Sequence, residues 1–77
     1  ERVDLVRAAI ELLSEDHRAI LVLREMQERS YEDIAEILDI SIGTVRSRLS
    51  RARNQLKATL EAMESEEEAT PGADSQS

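Results

Sequence analysis

The side chains able to do chemistry are unevenly distributed along the 77 residues. There are 17 Asp and Glu, one His and no Cys. The absence of Cys removes disulfide frameworks, thiolate metal sites and thiol nucleophiles together, and it fits a reducing compartment. His17 has no second His or Cys to share a metal with, so a solvated surface position is expected. The carboxylates lie on amphipathic segments of a chain too short to shelter a general acid and base in a dry pocket. No nucleophile–base pair and no phosphate-binding loop accompanies them. No catalytic residue, metal or cofactor is therefore expected, and an enzyme is the class these residues support least.

What remains is anion recognition. Residues 41–60 hold Arg46, Arg48, Arg51, Arg53 and Lys57 with no acid, a net charge of +5. Residues 1–40 carry 5 Arg and 11 acids (net −6), and residues 61–77 carry 6 acids (net −6). The whole-chain charge of −7 hides this acid–base–acid order. Phosphate binding depends on local potential, so the basic block is the feature that matters.

These cations need elements to position them. Aromatic residues are 1% of the chain, which has two Gly and one Pro. That composition excludes the many hairpins of a sandwich or barrel and favours a small all-α domain with an aliphatic core. Val3, Val6, Ile10 and Leu13 recur at helical spacing, widened by Leu5, Ala9 and Leu12, and predict a helix over 2–13. Ser14 can cap a second helix over 15–27, with Glu15 and Asp16 at the positive end of its dipole. Within it the run Ala19 to Leu23 points all around the axis, as a core helix or an apolar docking patch would. Leu21 or Val22 is the candidate for such a patch. That run is also far shorter than the roughly 18 residues a bilayer span requires.

Ser30 with Asp33 resembles a capping box and opens a third helix over 31–38. Asp39 and Ile40 interrupt it. Ser41 can cap a fourth helix over 42–62, whose apolar face is Ile42, Val45, Leu49, Ala52, Leu56, Leu60 and, just past that end, Met63. The acidic stretch over 64–77, with no apolar residue larger than Ala, is expected to be a disordered tail appended to a domain over 1–63.

A short helix, a tight turn and a longer helix form a helix-turn-helix pattern, whose second helix can enter the DNA major groove. Apolar spacing alone does not separate this from an αα-hairpin. The polar faces do. With about 100° per residue and Val45 at zero, Gly43, Ser47, Ser50, Arg51 and Asn54 face away from the apolar stripe. Arg46, Arg53 and Lys57 share one flank and Arg48 lies on the other. A merely solvated helix would interleave Glu with Arg for intrahelical pairs, whereas this one carries like charges that only an anion relieves. Arg also suits bidentate contacts to phosphate or guanine.

The stretch from Leu13 to Leu56, above all SYEDIAEILDISIGTVRSRLSRARNQL from Ser30 to Leu56, closely resembles region 4 of the extracytoplasmic-function group of sigma-70 family sigma factors. Its most specific part is Gly43-Thr44-Val45-Arg46-Ser47-Arg48-Leu49 followed by Arg51-Ala52-Arg53, with Ile34-Ala35 at the usual distance upstream. The chain departs from the family pattern at Ser14, where Pro is common, at Glu28-Arg29, where Gly and an apolar residue are common, and at Asp39, usually Gly. Ser50 also stands where bulkier side chains are frequent. The resemblance implies recognition of the minus-35 element of double-stranded promoter DNA, docking on the beta flap of RNA polymerase core, an anti-sigma factor as a further partner, and a cytoplasmic location. The family's DNA-melting region lies outside this sequence, which begins at Glu1 and reads as a piece of a longer chain.

On this reading Arg46, Ser47 and Arg51 are the candidates for base edges, because they lie early in the recognition helix and face outward. Ser30, Tyr31, Ser41, Thr44, Arg48 and Arg53 are the candidates for phosphate contacts, through side chains and helix-opening amides. Capping alone also explains Ser30 and Ser41, and Tyr31 can equally cover the core. Two rivals stay open: the DNA-binding output domain of a response regulator or other activator, and a protein-interaction module.

Overall fold

A computed structural model describes the backbone of residues 2–76 and the side chains of residues 4–65. Four helices follow one another: α1 (Arg2–Glu11), α2 (Glu15–Leu21), α3 (Tyr31–Leu38) and α4 (Ile42–Gln76). No strand occurs among the described residues. The three serines act as the sequence predicts. Ser14 accepts a hydrogen bond from the His17 amide at 3.4 Å, Ser30 from the Asp33 amide at 3.0 Å and Ser41 from the Thr44 amide at 3.1 Å. Each satisfies one of the donors that a helix start leaves unpaired.

Three boundaries differ from the sequence expectation, each for a local reason. α1 stops at Glu11 because the amides of Leu12 and Leu13 bond back to Ala9 and Ile10, a tightened closing turn. α2 does not run as one regular helix to residue 27. It widens into a π-helical turn, Val22–Met26, closed by the Gln27 amide on the Val22 carbonyl. α4 continues past residue 62, and Met63, Glu64 and Ser65 are helical. Ala62, Met63 and Glu64 are good helix formers with no Gly or Pro among them, so nothing local ends the helix there. The expected tail over 64–77 has its side chains from 66 onward outside the described residues.

Packing follows the predicted stripes. Ala9, Ile10, Leu13, Ile20, Leu21, Ile34, Val45, Leu49 and Ala52 are buried, and all three earlier helices pack on α4. The Ala19 to Leu23 run resolves as core: Ile20 and Leu21 are buried, and Ala19, Val22 and Leu23 are half-buried. Leu21 therefore cannot belong to a docking surface. Leu12, read as part of the α1 stripe, is 69% exposed because the closing turn swings it outward.

The α3–α4 turn is set by Asp39 at φ 58°, the left-handed region that the Asp-for-Gly departure anticipates. The Asp39 amide bonds Glu36 O and the Ile40 amide bonds Ala35 O, the paired closure of a Schellman motif. Ile40 is half-buried against the core, so the turn is pinned from both sides.

Candidate nucleic-acid interface

The buried positions Val45, Leu49 and Ala52 seat α4 on the rest of the molecule and orient its other faces. Arg46, Ser47 and Arg51, the candidates for base edges, are all exposed. The Ser47 hydroxyl donates to the Thr44 carbonyl at 3.2 Å, which turns it back along the helix. Ser41 Oγ donates to Thr44 Oγ1 at 2.9 Å, so the two hydroxyls at the start of α4 form one polar pair. Ser30 performs its capping role at the other end of the motif. Arg48 is half-buried and stands apart from Arg46 and Arg53 on its own flank.

Tyr31, Arg46 and Arg53 come together. With Leu49, Ser50 and Asn54 they line a shallow groove where the start of α3 meets α4. The Tyr31 ring, half-buried against the core, has the Arg46 guanidinium carbon 6.0 Å from its centroid and that of Arg24 at 4.8 Å. The ring of Tyr31 thus covers the core, as one of its two readings expects, and also gathers two cations. Arg53 Nε and NH2 reach Glu25 Oε2 at 3.0 and 2.8 Å. That hydrogen bond raises the Arg53 pKa above its usual value, the nearby carboxylate charge adds to it, and partial desolvation opposes it.

Arg24 and Glu25, which contact the groove residues Tyr31 and Arg53, are the neighbours that sequence reasoning misses. Both lie in the π-helical turn, whose extra residue redirects the side chains that follow. Arg24 is held there by a 2.8 Å bond from NH1 to the Arg29 carbonyl. The signal that finds them is spatial, a lone aromatic with two cations near its ring, and no spacing rule links residues 24 and 25 to residues 31, 46 and 53. No cluster fit to hold a metal occurs among the described residues, and none of their helices is long and apolar enough to cross a membrane.

Fold and surface define a helix-turn-helix domain with a cationic second helix. The family model for "Sigma-70, region 4" matches residues 4–56. An ECF RNA polymerase sigma-E factor of Haemophilus influenzae is 44% identical over 59 residues, 77% of this chain and 31% of that protein. The RNA polymerase sigma factor YlaC of Bacillus subtilis is 42% identical over 64 residues, 83% of this chain and 37% of its own length. An RNA polymerase sigma-H factor of Pseudomonas aeruginosa is 45% identical over 58 residues, 75% of this chain and 30% of that one. No solved structure gives a significant match. The chain belongs to the sigma-70 region 4 family, a family of DNA-binding transcription factors and not of enzymes. It spans about a third of the length of these relatives.

Proposed function

We propose that this domain recognises the minus-35 element of bacterial promoters, as part of a cytoplasmic sigma factor that directs RNA polymerase core. The observation that carries the reading is the acid-free face of α4, where Arg46, Ser47 and Arg51 stand exposed above a buried Val45–Leu49–Ala52 seam. In this reading the α4 N-terminus enters the major groove, these three side chains meet base edges, and Ser30, Tyr31, Ser41, Thr44, Arg48 and Arg53 meet the phosphates. Family membership favours the sigma reading over a response-regulator output domain.

Salt-titrated binding of single Ala variants to promoter and scrambled duplexes tests it. Arg46→Ala and Arg51→Ala should each cost about 1–3 kcal/mol and relax preference at one base pair. Arg48→Ala and Arg53→Ala should weaken all sequences alike and lower the salt slope by about one. If folded Arg46→Ala and Arg51→Ala variants bind both duplexes like the unmodified chain at every salt, the interaction-module reading replaces this one.

The beta flap, or an anti-sigma factor competing for the same place, is proposed to dock in the groove between α2 and α3. Ala19, Val22, Leu23, Ile37 and Leu38 line its apolar floor, with Glu15 and Arg18 alongside. Ile37 is 51% exposed there and continues the apolar floor to the surface, which makes a contiguous patch a partner can cover. Ile37→Glu, which removes no core contact of a buried residue, should abolish capture by the isolated flap while leaving the domain folded. Leu21→Glu is the wrong probe, because it places a charge in the core.

A further inference from the structure

Beside the groove at the start of α3, one acid holds one of its cations. Glu25 Oε2 takes both Nε and NH2 of Arg53, at 3.0 and 2.8 Å, in the way a phosphate oxygen would take them. Arg53 lies two turns along α4 from Arg46, and Ser50 and Asn54 line the same groove between and beside them. The two partners are 43% and 48% exposed, so the pair is within reach of a competing anion. An exposed ion pair of this kind is weak, which makes it displaceable. Glu25 is held in place by backbone: the π-helical turn carries it, and the Gln27 and Arg29 amides close that turn on Val22 and Leu23.

We infer that Glu25 is an intramolecular competitor of DNA, a carboxylate that occupies Arg53 in the free domain and must yield it to a backbone phosphate on binding. The inference rests on the DNA-binding reading above. Its consequence is that one cation of the interface is neutralised until a phosphate displaces the acid. The penalty is the same for every sequence, because phosphate contacts carry no base information. Glu25 therefore lowers affinity for DNA in general and leaves the ratio between promoter and other sequences unchanged. A domain built this way is less readily retained on non-promoter DNA.

The test uses the whole 77-residue chain and a mixed-sequence duplex two helical turns long, with Glu25→Gln, Arg53→Gln and the double variant. Gln keeps the size and one accepting oxygen of Glu and removes the charge. Glu25→Gln should bind roughly threefold tighter at low salt, with a salt slope close to that of the unmodified chain, because Arg53 ends on a phosphate in both complexes. In the Arg53→Gln background the same change should have no effect. A gain that persists without Arg53 means that Glu25 only repels DNA at large, and overturns the inference. So does a Glu25→Gln chain that is folded by circular dichroism and binds no tighter, or binds less tightly, because Glu25 then supports Arg53 and does not compete for it. Arg46→Ala reads the DNA face without involving Glu25. If that variant and the unmodified chain bind a promoter duplex equally, and the mixed one equally too, the DNA reading itself has failed and the inference falls with it.

Discussion

At the residue scale, the two non-glycine residues with positive φ are Glu28 at 56° and Asp39 at 58°. Both stand where the family pattern commonly has Gly, so the departures noticed in the sequence are the positions where the backbone turns left-handed. The two substitutes are not equal. Asp can hydrogen-bond its own backbone and tolerates this region, whereas Glu has a longer side chain and no such compensation. Glu28→Gly should therefore raise stability by about 1 kcal/mol, and Asp39→Gly by less, measured by urea denaturation at fixed pH. A Glu28→Gly chain no more stable than the unmodified one would mean that its side chain makes a compensating contact. Leu49→Ala belongs to the same scale with the opposite sign. Leu49 is buried in the core cluster that also holds Ile34 and Val45, so its truncation should cost about 2–5 kcal/mol, enough to unfold much of so small a domain.

At the element scale, helix starts were legible and helix interiors less so. Ser14, Ser30 and Ser41 cap because a short hydroxyl next to an apolar period has one favourable use, and that use is local. The buried run Ile20–Leu21 and the α4 seam were legible from periodicity for the same reason. The π-helical turn over Val22–Met26 was not, because no residue there breaks an α-helix. The Arg29 amide on Leu23 and the Arg24 side chain on Arg29 close the turn through contacts no periodicity reports. The residues that flank the groove were hidden with it. Arg46 and Arg53 could be placed on one flank by counting, whereas Arg24 and Glu25 needed the tertiary path of the chain.

α4 itself supports a further prediction. Gly43 has no positive φ, and a methyl group added there would meet only Ser41 Oγ, at 3.9 Å. The fold does not require Gly at this position. Gly43→Ala should stabilise the helix by about 0.5 kcal/mol. If the start of α4 approaches a phosphate backbone closely, the same substitution should weaken DNA binding while thermal melting rises. A variant that gains stability and binds DNA unchanged would place the contact further along α4.

At the scale of the whole molecule, charge and length decide how the domain uses its basic face. The net charge of −7 opposes DNA at long range, while the +5 of residues 41–60 attracts it at short range. Which prevails depends on ionic strength, because exposed charges are screened beyond about 10 Å at 0.1 M salt and only beyond about 30 Å at 0.01 M. α4 rises about 1.5 Å per residue, which sets Glu66 roughly 30 Å along the axis from Arg46. The acids from Glu66 to Glu68 and Asp74 should thus be invisible to bound DNA at physiological salt and repulsive at very low salt. A chain ending at Ser65 should bind a promoter duplex with unchanged affinity at 0.15 M salt and more tightly at 0.01 M. Fluorescence anisotropy at the two salts measures both. An equal gain at both would mean that the acidic segment reaches the recognition face instead of lying along the axis of α4, and would make it a direct competitor for Arg46 and Arg51.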